Sequence, residues 1–284
     1  MDTRPLVLPD FEAFPHAVVL DLDGTLLDPD VKFRPRSRAA VEALLAREVP
    51  VIVATARPVR TVRMLLGEPL LERVALVQMN GSAFRHAGGL HTAVAPFPAE
   101  IVRRIAALAA AHLPAARVIA EIEGDAFGCD TPLTPEMLWQ TNWATPDMVM
   151  PVHAAADRGA AKVAINGLNQ AVGDLVARIR EELGEHVEVI AEGSGTFANV
   201  VPRGVSKQAS LLRLLAHPER ADPWPGMLAF GDDIADLEML RLAEWGVAMA
   251  NAHPEVHAAA RYRTHSNADD GVAHVIEGLL AQHG

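Results

Sequence analysis

The 284-residue sequence has little of several features that define other classes of protein. Its one cysteine, Cys129, excludes an internal disulfide framework and fits a reducing compartment. No apolar run approaches the length that spans a bilayer, and the longest is 49–56. The amino terminus lacks the basic-then-apolar pattern of a signal peptide, so the expected location is the cytoplasm.

Basic residues are also in deficit. Lys and Arg number 25 against 36 Asp and Glu, which gives a formal net charge of −11. Nucleic-acid surfaces have clustered basic residues, so this balance argues against a nucleic-acid partner. We expect no membrane partner either. An acidic balance suits a protein that neutralises its own carboxylates with a divalent cation.

Short apolar runs alternate with helical patterns at both ends of the chain. The runs at 17–22 and 50–55 are continuous, as in strands buried on both faces. Helical stripes follow at 37–48 and 58–66. The same alternation returns from 226 to 282. This order predicts an α/β fold with a doubly wound, Rossmann-like parallel sheet.

The middle of the chain has a different pattern. Residues 82–195 contain glycine and proline breaks, alternating apolar runs and two clear helical patterns. We therefore predict an inserted α+β domain over 82–195. Residues 1–81 and 196–284 then form one domain around it.

The most informative segment is Asp21-Leu22-Asp23-Gly24-Thr25. Residues two apart in a strand point the same way, so Asp21 and Asp23 would crowd at one strand end. Such carboxylates require a proton or a cation between them. Gly24 allows a sharp turn close to a ligand. The alternative is an ordinary solvated turn, in which Asp and Gly are common.

A second acidic segment follows the strand pattern at 226–230. Asp232 falls at the strand end, and Asp236 lies four residues further, within reach of one helix face. Helix capping by Asp233 explains one acid of this group. Three acids in five residues indicate a further role.

Two other residues occupy chemically suggestive positions. Thr55 ends the second strand just before a helix, where its hydroxyl would either bind phosphate or cap the helix. Lys207 follows Ser206 at the start of a helix, where its charge opposes the helix dipole. Taken alone, Lys207 also fits a solvated surface position.

Together these four segments resemble the four motifs of the haloacid dehalogenase superfamily, in the same order along the chain. The insertion resembles the C2-type cap of its Cof-like, type IIB branch, as do the Asn80-Gly81 and Gly204-Val205-Ser206-Lys207 segments around it. Three positions depart from that branch. Ala235 replaces an Asn that commonly contacts phosphate, and Ala56 and Gln208 replace common glycines.

The resemblance implies a mechanism for the acidic residues. Asp21 is the nucleophile, which forms an aspartyl-phosphate. Asp23 protonates the leaving alcohol and then deprotonates the hydrolytic water. Mg²⁺ is the implied cofactor, held by Asp21, the backbone carbonyl of Asp23, and Asp232.

The remaining motif residues are expected to surround the phosphate. Thr55, Lys207 and the amides of Leu22 and Gly24 would stabilise the equatorial oxygens. Asp236 would support the metal site or Lys207.

The predicted function is a Mg²⁺-dependent phosphatase of small phosphorylated metabolites such as sugar phosphates or phosphorylated cofactors. The inserted domain would act as a lid that reads the leaving group, where Trp139 and Trp143 either stack on substrate or form lid core. A sugar phosphomutase and a non-catalytic phosphate-binding regulatory protein are the alternatives. The sequence leaves the oligomeric state open.

Overall fold

The computed structural model describes residues 5–89, 91–93, 96–138, 143–191, 195–216 and 222–283. The strands in these ranges are β1 (Ala17–Leu20), β2 (Val51–Ala54), β3 (Ala75–Gln78), β4 (Ala83–Arg85), β5 (His91–Ala93), β6 (Arg117–Ile122), β7 (Ala126–Gly128), β8 (Val149–Met150), β9 (Lys162–Asn166), β10 (Val187–Ala191), β11 (Phe197–Pro202), β12 (Met227–Gly231), β13 (Trp245–Ala248) and β14 (Tyr262–Arg263). The helices are α1 (Pro35–Ala46), α2 (Val59–Leu66), α3 (Glu68–Leu71), α4 (Ala99–His112), α5 (Pro135–Met137), α6 (Val152–Asp157), α7 (Gly173–Leu183), α8 (Lys207–Leu214), α9 (Leu237–Leu242), α10 (Pro254–Ala259) and α11 (Gly271–His283).

Eight strands form one sheet in the order β14-β13-β12-β1-β2-β3-β4-β5. The pairings from β14 to β3 are parallel, and β4 and β5 add an antiparallel edge. We call this sheet and its helices the core. Because strands of a covered parallel sheet are buried on both faces, they show the continuous apolar runs seen in the sequence.

Helices cover both faces of the core sheet. Val18 and Leu20 pack on the side that holds apolar residues of α1, α2 and α11. Ala17 and Val19 point the other way, toward apolar residues of α8, α9 and α10. The predicted doubly wound α/β fold is confirmed.

The other six strands form a second sheet in the order β10-β11-β9-β6-β7-β8. Its strands are antiparallel apart from the β7–β8 pair. Apolar residues of α4, α6 and α7 pack against one face, and the opposite face looks toward the core. We call this sheet and its helices the cap.

Sheet membership differs from the predicted insertion 82–195 at both ends. β4 and β5 lie inside that range, yet they pair onto the edge of the core sheet through β3. β11 lies beyond it, yet it is an inner strand of the cap sheet between β10 and β9. Strand pairing is a long-range property that composition does not report. The division into a catalytic domain and a substrate lid stays a proposal.

Cap and core are joined by a buried ion pair. The Arg60 guanidinium on α2 donates to both carboxylate oxygens of Glu121 on β6, at 2.7 and 2.8 Å. Both side chains are at most 5% exposed. Nearby, the Lys162 Nζ donates to the Ala56 carbonyl at 2.8 Å. In the ranges described above, no helix has the length and apolar character needed to cross a membrane.

Replacing Glu121 by Leu should destabilise the protein. The variant leaves the Arg60 guanidinium buried without its carboxylate, a change that typically costs about 3–5 kcal/mol. The double variant Arg60→Met/Glu121→Leu should recover a large part of that loss, because it removes both charges. Urea denaturation of the two variants measures this, and a double variant as unstable as the single one would contradict it.

Candidate active site

A cavity of about 650 Å³ lies between the carboxyl ends of the core strands and the open face of the cap sheet. Its core wall includes Asp21, Gly24 and Asp232, and its cap wall includes Arg117 and Lys162. Because β1, β2 and β12 run parallel, the residues that follow them meet at one edge of the sheet. This topology brings the distant acidic segments together.

The chain turns sharply after β1. The Asp21 amide donates to the carbonyl of Phe230 at 3.2 Å, which continues the pairing of β1 with β12 for one residue. Gly24 then takes a positive φ of 75°. A Cβ atom at Gly24 would lie 2.1 Å from Oδ2 of Asp232, so this position has no room for a side chain.

Lys207 links two of the predicted acids. Its Nζ donates to Oδ1 of Asp21 at 2.6 Å and to Oδ1 of Asp236 at 2.7 Å. The residue is 4% exposed, so the alternative of a solvated surface lysine is wrong. Burial opposes its charge, but the two carboxylates outweigh burial and raise the pKa of Lys207 above its usual value.

The segment after β12 is fixed by its own side chains. Asp233 caps the following turn by accepting from the amide of Ile234 at 2.8 Å, as the capping interpretation expects. Oδ2 of Asp236 accepts from the amides of Asp232 and Asp233, both at 3.2 Å. Asp236 is fully buried and therefore holds both this loop and Lys207 in place.

Three carboxylates form a group that fits a divalent cation. Asp21, Asp232 and Asp236 each offer an oxygen, and these oxygens lie within 4.8 Å of one another. Burial and the neighbouring carboxylates raise the pKa of Asp21, although Lys207 opposes this. Burial, with Asp236, raises the pKa of Asp232 to about 7. A hard cation relieves such crowding with oxygen ligands alone.

Asp23 stands apart from this group. Its carboxylate accepts from Nε and Nη2 of Arg57, at 2.7 and 2.5 Å. The Arg57 guanidinium also lies over the ring of Trp143 in the cap, 5.7 Å from its centroid. Trp139, its predicted partner, lies outside the described residues. Metal binding by Asp23, predicted through its backbone carbonyl, stays a prediction.

Thr55 and Leu22 lie beside the cavity. Both are fully buried and neither lines it. Oγ1 of Thr55 accepts from the amide of Arg57 at 3.1 Å, so Thr55 stabilises the turn after β2, whereas α2 begins later, after Pro58. The predicted phosphate contacts of Thr55, Leu22 and Gly24 stay predictions.

The sequence analysis did not predict Asn80 and Arg117 as site residues, although both line the cavity. Asn80 is 2% exposed and has a left-handed φ of 58°. Its Nδ2 has no hydrogen-bond partner among the residues that the model describes. Arg117 lines the cavity from the cap. The sequence analysis gave the Asn80-Gly81 pair only as a segment that resembles the type IIB branch, and no sequence signal marked Arg117.

Comparison with known proteins decides the family. The model for haloacid dehalogenase-like hydrolases matches residues 18–276. The chain belongs to this family. It is 27% identical over 278 residues to the 5-amino-6-(5-phospho-D-ribitylamino)uracil phosphatase YitU of Bacillus subtilis, covering 94% of this chain and 98% of that one.

Other relatives agree with this assignment. The HMP-PP phosphatase of Serratia proteamaculans is 25% identical over 253 residues, covering 83% of this chain and 84% of that protein. The solved structure of a subclass IIB sugar phosphatase has the same fold, with a TM-score of 0.73, 22% identity, and coverage of 93% of this chain and 98% of that one. The resemblance predicted from the motifs is confirmed, and the chain is a hydrolase of this family.

The acidic group predicts a pH-dependent stability. Asp232 has a pKa near 7 when folded and an ordinary, lower pKa when unfolded. Between these two pKa values the folded protein keeps a proton that the unfolded chain has lost. The free energy of unfolding should therefore fall as pH rises from the ordinary value of 3.8 to about 7. A divalent cation bound by this group would compete with that proton, so magnesium should stabilise the protein more at about pH 8 than at about pH 5.

Urea unfolding with and without magnesium at both pH values measures the effect. At about 100 times its dissociation constant, a cation bound only to the folded state adds about 2.7 kcal/mol. In Asp232→Asn, magnesium should stabilise the protein equally at the two pH values. Asp30→Asn, in an exposed turn, should keep the greater stabilisation at about pH 8. Equal stabilisation of the wild-type protein at both pH values would count against cation binding by Asp232.

Proposed function

We propose that this enzyme is a Mg²⁺-dependent phosphatase that hydrolyses small phosphorylated metabolites through an aspartyl-phosphate. One observation carries the proposal. Asp21 and Asp232, far apart in the sequence, meet with Asp236 and Lys207 at the floor of a cavity shared by core and cap. Phosphoryl transfer needs mainly positioning and charge stabilisation, and this group supplies both.

Asp21 serves as the nucleophile in this proposal. One carboxylate oxygen forms a bond to phosphorus while the bond from phosphorus to the leaving oxygen breaks. Asp23 donates a proton to that leaving oxygen. It then takes a proton from water, which attacks phosphorus and releases Asp21 and inorganic phosphate. In the structure both oxygens of the Asp23 carboxylate accept from Arg57, so this pair opens when Asp23 carries the proton that it donates.

Lys207 and nearby donors supply the charge stabilisation. Lys207 offsets the charge of Asp21, so that an anionic phosphate can approach it. Asn80 offers an amide without a partner among the described residues, on the same cavity wall as Ala235. We propose that Asn80 contributes a phosphate contact in place of the Asn that the resembling branch usually has at the position of Ala235. The Thr55 hydroxyl and the amides of Leu22 and Gly24 complete the proposed set.

Asp21, the Asp23 carbonyl and Asp232 would hold Mg²⁺, with Asp236 adjacent. The bound cation supplies positive charge that lowers the repulsion between Asp21 and the phosphate. The raised pKa values of Asp21 and Asp232 support a cation at this position. Thr25 Oγ1 donates to Oδ1 of Asp232 at 3.0 Å and orients that carboxylate.

The relatives support the substrate class. The names of two of them specify a phosphorylated ribitylaminouracil and HMP-PP, both small phosphorylated molecules. We propose the same class for this enzyme, with the cap reading the leaving group.

Replacing Asp21 by Asn should abolish turnover. Loss of the nucleophile should lower kcat by about 10³-fold or more, while the fold stays intact. The measurement is phosphate release from a panel of phosphorylated metabolites with magnesium or with chelator. Asp30→Asn, in an exposed turn, is the matched control and should keep wild-type activity.

The same panel separates the alternatives. An isomerised sugar phosphate without free phosphate would indicate a phosphomutase. Binding without turnover by the wild-type protein would indicate a phosphate-binding protein. Wild-type turnover by Asp21→Asn would overturn the assignment of the nucleophile.

A further inference from the structure

The cap wall of the cavity includes one face of the paired strands β6 and β9. Alternate residues of β6 and β9 point into the cavity, and their register sets them opposite one another. The pairs are Arg117 with Asn166, Ile119 with Ala164, and Glu121 with Lys162. The cavity face of these two strands is therefore polar at both ends and apolar in the middle.

The two polar ends have different surroundings. Glu121 and Lys162 lie against the core, since they bond to Arg60 and to the Ala56 carbonyl. Arg117 is four residues from Glu121 along β6, which corresponds to about 13 Å of strand. Arg117 therefore lies at the end of the cap wall away from the core contact.

Arg117 has no anionic partner in the part of the chain that the model describes. Arg117 is 7% exposed, and its Nε has no hydrogen-bond partner among the described residues. By contrast, Arg60 is also buried and forms a two-point ion pair with Glu121. A buried guanidinium is unfavourable without an anion, so its position on a cavity wall indicates a ligand that supplies one.

We propose that Arg117 binds a second anionic group of the substrate, a carboxylate or a second phosphate carried on the leaving group. This inference rests on the proposed phosphatase function. The planar guanidinium binds either oxyanion through two parallel hydrogen bonds. The apolar residues in the middle of β6 and β9, Ile119 and Ala164, would face the carbon skeleton between the two anionic ends. Arg117 is thus a specificity-determining residue.

Synthetic phosphomonoesters test this directly. Alkyl phosphates of graded, matched length would end in a hydroxyl, a carboxylate or a second phosphate. At the best length, the wild-type enzyme should prefer one or both acidic ends over hydroxyl by about 10-fold or more in kcat/KM. The two acidic series identify which anion is bound.

Arg117→Gln should remove this preference, mainly through a higher KM for the acid-ended esters. Arg117→Lys should keep part of it, because the charge remains. Arg178→Gln, at an exposed position on α7, is the matched control and should retain the wild-type preference. A preference that survives in Arg117→Gln would overturn the proposal.

Thermal shift gives a readout that does not need turnover. Acid-ended esters should raise the Tm of the wild-type protein more than hydroxyl-ended ones, and Arg117→Gln should lose that difference. A structural role for Arg117 predicts instead a lower ligand-free Tm for Arg117→Met, whereas we expect no decrease. Wild-type turnover without an acid preference refutes this inference alone, whereas acid-selective binding without turnover refutes only the phosphatase proposal.

Discussion

The site depends on the balance between crowded carboxylates and one buried ammonium group. Asp21, Asp232 and Asp236 each place a carboxylate oxygen within 4.8 Å of the other two, at the end of the core sheet. Lys207 bonds to two of them and is almost completely buried. Because like charges repel strongly where water is excluded, neither the acids nor the lysine would be favourable alone.

That balance explains why the site is assembled from three separate stretches of chain. Asp21 follows β1, Asp232 and Asp236 follow β12, and Lys207 begins α8. Parallel pairing of β1 with β12 aligns the first two stretches. The carboxylate of Asp236 then joins the third, since it binds both Lys207 and the backbone after β12. The fold thus orients the Asp21 carboxylate through the ends of β1 and β12.

The sequence predicted the core more fully than the cap. Buried parallel strands produce continuous apolar runs. The sequence therefore predicted where these strands end, and it predicted Asp21 and Asp232 at those ends. The start of α2 was predicted less accurately, at Pro58. Pro58 precedes the helix, because its extended backbone ends the turn that Thr55 stabilises. Arg117 was not readable, since its place on the cavity wall depends on pairing with β9, far away in the sequence.

The contact between Gly24 and Asp232 has a consequence for how this enzyme can vary. Any side chain at position 24 would occupy the space of the Asp232 carboxylate. Shortening Asp232 would make that room, but it would remove a member of the acidic group. A single substitution at either position therefore disrupts the site, so positions 24 and 232 constrain each other despite their separation along the chain.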